Sequence, residues 1–186
     1  MYNILYIFVF LILFSVSFLM YFSRDPNRQV VVNENFIYSP ADGTVMEVTE
    51  ENNCKIIKIF MSVLNVHVQR SPVSGKVLAV EHKPGKFLNA ADKRASFENE
   101  QNVITIIPGN KRFTGPMLVK QIAGILARRI VCFKKPGDIV AQGERIGRIK
   151  LGSQVDIHIP AVKGLKINVQ PGNKVKTGIT VVAELN

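Results

Sequence analysis

The chain has 186 residues, a net charge of +10 and a pI of about 9.8. This length allows one domain of ordinary size with a real hydrophobic core. The positive charge suits an anionic membrane surface, and the scattered basic residues form no nucleic-acid-binding motif, which argues against nucleic acid as a partner. The two cysteines, Cys54 and Cys132, have neither metal-ligand nor disulfide-framework spacing. We therefore expect packed thiols in a reducing compartment and no metal site.

The first 22 residues contain no charged side chain. Such a run is long enough to cross the hydrocarbon core of a bilayer as a helix. A cleaved signal peptide would need a basic n-region and a small-residue cleavage site, and neither is present. We therefore predict a membrane helix over residues 1–23 and a single domain over residues 24–186. Arg24 and Arg28 follow the helix directly, which predicts that this domain lies on the cytoplasmic side of the cell (inner) membrane.

Beyond Pro26 the chain consists mainly of short β-branched runs separated by Gly and Pro. This pattern is typical of many short strands joined by turns. The strands predicted in this way are Gly43–Val48, Lys55–Phe60, Val77–Val80 and Val103–Ile107. The one long helical candidate is Met117–Ile130, whose apolar residues fit a helical stripe. Gly124 weakens that prediction, so a strand, a turn and a second strand are nearly as well supported there.

Two segments near the C-terminus share one pattern, in which a Pro-Gly pair is followed at fixed offsets by Val, Gly and an aliphatic residue. The copies are Pro136-Gly137 with Val140, Gly143 and Ile146, and Pro171-Gly172 with Val175, Gly178 and Val181. Pro84-Gly85 begins a weaker third copy. The pattern resembles the half-motifs of barrel-sandwich hybrid domains, such as biotinyl and lipoyl carriers. We expect a mainly β (α+β) fold, a compact β sandwich or barrel of this type carrying the N-terminal transmembrane helix.

The most informative stretch is Leu151-Gly152-Ser153-Gln154-Val155-Asp156. By itself a Gly-Ser pair is usually a turn. A serine hydroxyl can nevertheless act as a nucleophile when a base takes its proton, and glycine leaves its own carbonyl sterically open. Two upstream segments accompany this pair, namely Ser39–Val45 and Phe60–Val77.

Together these motifs resemble the phosphatidylserine decarboxylase family, in its short, archaeal-type form. The resemblance runs from about Arg24 to the C-terminus and is also carried by Arg24–Arg28, Gln121–Gly124 and Ala127–Ile130. It implies autocatalytic cleavage, in which the Ser153 oxygen attacks the Gly152 carbonyl and an ester replaces the amide. Elimination then splits the chain after Gly152, and the dehydroalanine left at position 153 hydrolyses to a pyruvoyl group and ammonia. The resulting β chain, 1–152, and α chain, 153–186, are expected to remain associated.

The activity that the resemblance implies is conversion of phosphatidylserine to phosphatidylethanolamine and carbon dioxide. The pyruvoyl ketone made from Ser153 would form a Schiff base with the substrate amine and accept the electrons released with carbon dioxide. It is the only cofactor expected, without metal or pyridoxal phosphate. Expected partners are phosphatidylserine and an anionic membrane surface. A homo-oligomer and the choice between ester- and ether-linked lipid stay open.

Cleavage and decarboxylation both need a proton-transferring group and an acceptor that orients it. The resemblance assigns His67 as general base and acid and Asp42 as the carboxylate that orients it. Judged alone, His67 would be a structural strand residue and Asp42 a turn former. His158 is the reserve base, although it lies on the opposite face of its predicted strand from Ser153. His82 is expected in a loop and is a weaker candidate.

Two positions depart from the family pattern. Longer members carry two histidines three residues apart; here His67 is the first, and Arg70 occupies the second position. Arginine stays protonated and cannot readily act as a base, so His67 serves both steps or another group covers one of them. Gln154 stands where longer members often have threonine. The substrate phosphate or carboxylate could meet Arg70, Lys76, Arg128 or Arg129, although each alone is typical of a solvated surface charge.

Two other functions compete with a decarboxylase. The Pro-Gly repeats favour a membrane-tethered, non-catalytic binding or carrier module of the biotinyl/lipoyl type, but no lysine flanked by methionines marks a hairpin tip. A membrane-anchored serine hydrolase would need a nucleophile elbow, with glycine two residues after the serine. Here Gln154 and Val155 follow Ser153.

Overall fold

A computed structural model describes residues 2–92, 94–125, 129–150 and 152–186, with side chains described from residue 4. The chain begins with helix α1 (Tyr2–Phe22) and continues into a body of short strands with one helical turn, α2 (Ala95–Glu98). In the described residues the strands are β1 (Phe36–Tyr38), β2 (Gly43–Glu51), β3 (Cys54–Met61), β4 (Val68–Arg70), β5 (Gly75–Lys83), β6 (Gln101–Pro108), β7 (Met117–Ala123), β8 (Ile130–Cys132), β9 (Ile139–Val140), β10 (Arg145–Ile149), β11 (Ser153–Pro160), β12 (Leu165–Ile167), β13 (Lys174–Val175) and β14 (Val181–Leu185).

The strands form one large curled sheet and two small ones. The large sheet has the order β13-β2-β3-β11-β7-β6-β5-β9, and the small sheets have the orders β1-β14-β12 and β4-β10-β8. The strand pairs are antiparallel. Aliphatic side chains at alternate positions of the central strands, such as Ile57, Val119 and Ile157, are fully buried and form the core. The prediction of a mainly β fold is therefore confirmed.

The four predicted strands are all present, as β2, β3, β5 and β6. Of the two alternatives for residues 117–130, the helix is wrong and the two strands are confirmed, because Met117–Ala123 forms β7 and Ile130–Cys132 forms β8. Strand β7 is paired on both edges, with β6 and β11, and its alternate residues Met117 and Val119 point into the core. Two ladders of backbone hydrogen bonds outweigh a moderate helical pattern. Residues 126–128, within the predicted helix, lie outside the described residues.

His82 was expected in a loop but lies within β5, opposite Asn102 of β6. The strand continues there because β6 pairs with it as far as Lys83. Cys54 and Cys132 are half-buried free thiols.

The two clear Pro-Gly copies occupy matching places at the two edges of the large sheet. Gly137 and Gly172 have φ angles of 96° and 91°, a region that favours glycine. The Gly172 N–H donates to the Val45 carbonyl and the Gly137 N–H to the Val77 carbonyl, each at 2.8 Å. The third predicted copy is wrong: Gly85 lacks the positive φ, and a Cβ there would meet the Asn99 backbone at 2.4 Å.

A second repeat accompanies the first. Ser39–Val45 and Ser71–Val77 share the pattern Ser-Pro-x-x-Gly-x-Val. Ser39 Oγ donates to the Ala41 carbonyl and Ser71 Oγ to the Val73 carbonyl, each at 2.6 Å. Each Ser-Pro segment lies against one Pro-Gly segment, so the body contains two similar halves. The two halves give the large sheet its matching edges, and the Gly152–Ser153 junction lies at the start of its central strand β11.

Helix α1 is apolar along its whole length, and among the described side chains of residues 4–22 only Phe22 is buried. By length and composition Ile4–Phe22 could cross a membrane, as the sequence predicts. This is compatible with membrane association.

Candidate active site

Ser153 is the first residue of β11, and it pairs with Met61 of β3 and Ala123 of β7. It is completely buried, and its hydroxyl donates to Met61 Sδ at 3.5 Å. Gly152, directly before it, has φ 63°, a conformation that side chains other than glycine rarely adopt. Leu151 of the predicted motif lies outside the described residues. As predicted, the Gly152–Ser153 peptide bond lies between the end of one strand and the start of the next.

The Gly152 carbonyl packs against Gly124, which follows the end of β7. A Cβ on Gly124 would lie 2.3 Å from the Gly152 oxygen and 3.1 Å from its carbonyl carbon. Only glycine therefore lets the backbone after β7 approach this carbonyl so closely. In the sequence Gly124 is visible as a residue unfavourable to a helix and as part of the Gln121–Gly124 segment, and neither reveals this contact.

A cavity of about 470 Å³ reaches Gly152 from the surface. Its lining is mostly apolar and consists of Phe60, Ser62, Val63, Asn89, Ala90, Ile125 and Gly152. A ligand in this cavity would contact mostly apolar side chains and would reach the Gly152–Ser153 junction at Gly152. This arrangement suits a molecule that is largely hydrocarbon.

His67 lies just before β4 and is buried. Its Nδ1 is 2.9 Å from the Asn65 carbonyl oxygen. Because a carbonyl can only accept, Nδ1 carries the proton and Nε2 holds the lone pair of the neutral ring. Nε2 is buried without a hydrogen-bond partner among the residues that the structure describes. The ring packs against Phe22, with 4.4 Å between centroids.

Burial lowers the pKa of His67 to about 4. The hydrogen bond to the Asn65 carbonyl and the charge of Asp42 raise the pKa, whereas the charges of Arg24 and Arg148 lower it. Burial has a larger effect on the pKa than the hydrogen bond and the charge that raise it. The ring is therefore neutral at physiological pH and can accept a proton at Nε2.

His67 and Ser153 are linked through two intervening side chains. Gln69 Nε2 donates to the His67 carbonyl at 2.9 Å and to Met61 Sδ at 3.6 Å, and Met61 Sδ also accepts from Ser153. The chain of buried amides continues, because Gln121 donates to Gln69 at 2.8 Å and Asn102 to Gln121 at 2.9 Å. Sequence reasoning missed these amides. The available signal was the presence of Asn and Gln inside apolar strands.

Asp42 does not bond to the His67 ring. Its two carboxylate oxygens accept from Arg28 at 2.7 and 2.8 Å, and Oδ1 also accepts from the Thr177 N–H at 2.8 Å. Ser74 is the equivalent residue in the second Ser-Pro-x-x-Gly-x-Val segment. Its Oγ accepts from the Gln142 N–H at 3.0 Å. Asp42 thus binds the neighbouring turn, and it affects His67 only through its charge.

Arg70 is also buried and holds the segment that follows α1. Its guanidinium donates to Asp25 Oδ1 at 3.1 Å, to the Pro26 carbonyl at 3.2 Å and to the Gly143 carbonyl at 3.0 Å. Of the other cations suggested for the substrate, Lys76 and Arg129 are exposed, and Arg128 lies outside the described residues.

The reserve base His158 lies on the other face of β11 from Ser153, as predicted. It lines a separate cavity of about 350 Å³ together with Asp156, Lys58 and Lys120. Burial lowers the pKa of His158 to about 4 and raises that of Asp156 to about 6. Gln154 donates to Asp156 at 2.6 Å and to Ser96 at 2.7 Å, so it packs on this outer face.

Comparisons with known proteins point to one family. The phosphatidylserine decarboxylase family profile matches residues 16–183. A phosphatidylserine decarboxylase proenzyme of Geotalea uraniireducens (strain Rf4) is 42% identical over 176 residues, covering 90% of this chain and 79% of the relative. The proenzyme of Solidesulfovibrio magneticus (strain ATCC 700980 / DSM 13731 / RS-1) is 43% identical over 179 residues, covering 92% and 81%. That of Ralstonia pickettii (strain 12J) is 40% identical over 176 residues, covering 91% and 79%.

These matches place the chain among the carboxy-lyases. It belongs to the phosphatidylserine decarboxylase family. The archaeal-type subgroup stays a prediction.

Proposed function

We propose that this chain is a pyruvoyl-dependent decarboxylase that converts phosphatidylserine to phosphatidylethanolamine and carbon dioxide, after cleaving itself between Gly152 and Ser153. The observation that carries the proposal is the Gly152–Ser153 junction. A buried serine follows a glycine with positive φ, and the glycine carbonyl is held against Gly124. The names of the relatives support this function over a carrier module.

The proposed cleavage uses atoms of the junction itself. Ser153 Oγ attacks the Gly152 carbonyl carbon, the C–N bond breaks, and an ester links the two residues. Loss of the Ser153 α-proton then expels the Gly152 carboxylate and leaves dehydroalanine, which takes up water and releases ammonia to give the ketone. Because Gly152 has no side chain, its carbonyl is not shielded from Oγ by a side chain of its own. The buried position of Ser153 also limits competing attack by water.

His67 is the proposed general base and acid. Its Nε2 is unprotonated at neutral pH, because the pKa is about 4 and Nδ1 donates to Asn65. The shared contacts of Gln69 and Met61 connect its backbone to Ser153. Asp42 supports the imidazolium through its charge rather than by a direct hydrogen bond. Arg70 occupies the position of the second family histidine, and of the two alternatives we assign both steps to His67.

The residues around the junction fit a pyruvoyl group at position 153. Gly124 leaves room that a Cβ would fill, and the adjacent cavity gives access from the surface. The group would supply an electron sink for loss of carbon dioxide from the substrate amine. His67 then donates the proton that replaces the lost carboxylate.

The two chains are proposed to remain together after cleavage. Strand β11 would belong to the α chain and is hydrogen-bonded on both edges, to β3 and β7 of the β chain. Strands β13 and β14 would likewise stay paired with β2 and β1. Breaking the 152–153 bond removes none of these ladders. The α chain therefore remains a structural part of the sheet.

We assign residues 1–23 to a membrane anchor and residues 24–186 to the decarboxylase domain, on the cytoplasmic side of the cell membrane. The apolar helix, the net charge of +10 and an anionic lipid substrate are mutually consistent. Arg24 and Arg28 directly after the helix support this orientation.

Intact mass spectrometry of the purified protein beside Ser153→Ala tests the proposal. The wild type should give two fragments, residues 1–152 and 153–186, with the smaller one bearing a ketone in place of the serine amine and hydroxyl. Ser153→Ala should stay in one piece and fail to release carbon dioxide from phosphatidylserine. A single uncut chain in freshly purified, folded wild type would overturn the proposal.

A further inference from the structure

The C-terminal end of α1 is fixed to the loop that precedes His67. Tyr21 Oη donates to the Leu64 carbonyl at 3.5 Å, and Arg24 Nη2 donates to the same carbonyl at 2.5 Å. The Arg24 guanidinium also lies 3.8 Å from the centre of the Tyr21 ring. Two hydrogen bonds to one carbonyl, from side chains that also stack on each other, hold the end of the helix beside Leu64.

Further contacts hold the residues around this end. Phe22 is buried against the His67 ring. Arg148 donates to the Ser23 carbonyl at 3.4 Å, and Asp25 forms ion pairs with Arg70 and Arg145. The end of the helix and the residues after it are thus attached to the body by side chains of β4 and β10 and by the His67 ring.

The body exposes one large aliphatic side chain at this attachment point and another in the lining of the cavity. Leu64 is 60% exposed and Ile125 is 57% exposed. Ile125 and Val63, the neighbour of Leu64, line the cavity that reaches Gly152. Single exposed aliphatic residues are ordinary on protein surfaces. These two are distinctive because Leu64 lies at the end of α1 and next to Val63, and Val63 shares the cavity lining with Ile125.

The end of an apolar membrane helix lies at the level of the lipid headgroups, where Tyr and Arg side chains are favoured. Tyr21 and Arg24 would occupy that level, and both bind the Leu64 carbonyl. Leu64 is therefore held at the same depth as the end of the helix. A leucine side chain at that depth lies in the interfacial layer between the headgroups and the acyl chains rather than in bulk water.

We propose that Leu64 and Ile125 form a lipid-facing rim that dips into the surface of the membrane in which α1 is anchored. The occupant of this surface is the bilayer leaflet. A lipid would pass sideways from the leaflet into the apolar cavity, so that its acyl chains need not cross water. The inference deepens the proposed function and rests on its premise that the substrate is a membrane lipid.

The absence of tryptophan from the chain allows a direct depth measurement. Leu64→Trp introduces a single fluorophore at the rim. Leu78→Trp is the matched control, because Leu78 is 54% exposed on β5 and borders none of the α1 contacts described above. Each full-length variant is placed in vesicles of phosphatidylcholine and phosphatidylglycerol with bromine on the acyl chains. We expect strong quenching at position 64 and little at position 78; equal quenching at both, or none at 64, would overturn the proposal.

A kinetic test uses Leu64→Asp and Leu78→Asp, assayed on vesicles containing long-chain phosphatidylserine and on a water-soluble short-chain analogue. For Leu64→Asp we expect kcat/KM to fall roughly tenfold or more on vesicles and to change by less than about twofold on the soluble analogue. Leu78→Asp should behave like the wild type on both. An equal fall of Leu64→Asp on both substrates would contradict the rim. If the wild type proves inactive, the proposed function fails, while the fluorescence experiment still decides the rim independently.

Discussion

Replacement of Gly124 by alanine gives the sharpest test of the site, because it adds one methyl group next to the bond to be cleaved. Gly124 lacks the positive φ that would strain alanine. The new Cβ would lie 2.3 Å from the Gly152 oxygen, 3.1 Å from its carbonyl carbon and 3.2 Å from Ala90 Cβ. Heavy atoms in ordinary contact are about 3.5 Å apart, so the two backbone segments must separate by about 1 Å.

A shift of about 1 Å at a reacting centre can lower the rate about 100-fold. We therefore expect cleavage at Gly152–Ser153 to slow by roughly that factor in Gly124→Ala, while the sheet still folds. The effect differs from a general loss of stability, because the contact involves the carbonyl that Ser153 attacks.

The assay follows the precursor and its two fragments by denaturing gel and intact mass after synthesis at constant temperature. Gly115→Ala is the control, since its Cβ would lie an ordinary 3.6 Å from Pro160 Cβ. A circular dichroism melt of each variant, in the Ser153→Ala background, separates misfolding from slow chemistry. Cleavage of folded Gly124→Ala within about threefold of the wild-type rate would refute this reasoning.

Three further predictions concern buried ionisable groups. Burial raises the pKa of Asp156 to about 6, so the ionised carboxylate destabilises the folded state progressively between about pH 4 and 6. Asp156→Asn should then increase the free energy of unfolding by up to about 2–3 kcal/mol at pH 8 and by almost nothing at pH 4, measured by urea denaturation; an equal gain at both would contradict this. His67 has a pKa of about 4, so the cleavage rate should be level from pH 8 to 5 and fall near pH 4. Phe22→Ala exposes the ring and should move this midpoint towards the ordinary value near 6.5, and an unmoved midpoint would show that Phe22 does not shield His67. Asp42→Ala leaves the Arg28 guanidinium buried without its carboxylate and should cost about 3–5 kcal/mol in urea titrations of the Ser153→Ala precursor, with a loss below about 1 kcal/mol counting against it.

Local sequence patterns predicted the strands well, because alternating apolar residues and Gly or Pro breaks act over a few positions. Over residues 117–130 they could not decide between a helix and two strands, because the partners that fix β7 come from β6 and β11. No local pattern encodes two flanking ladders, so the moderate helical stripe was misleading.

Within the candidate site, too, features that are local in the sequence were predicted and contacts between distant segments were not. Gly152 and Ser153 are adjacent in sequence and were found from their motif. The hydrogen-bond partners of Asp42 were not found from sequence, because Arg28 is 14 residues away and Thr177 is 135 residues away in the chain. The repeated Ser-Pro-x-x-Gly-x-Val segments can be recognised in the sequence. Comparing them would have matched Asp42 with Ser74 and indicated that Asp42 binds a turn.

The central position of β11 has a consequence for how the molecule reaches its working form. If the chain cuts itself as proposed, the new end at residue 153 lies in the middle of the sheet, between β3 and β7. Before the cut, folding is a unimolecular event in which residues 153–186 are tethered to the rest. Afterwards, any refolding requires two separate polypeptides to meet, so it depends on protein concentration and loses the advantage of the tether. The precursor is therefore the form suited to folding, and a mature enzyme that unfolds in dilute solution should not recover.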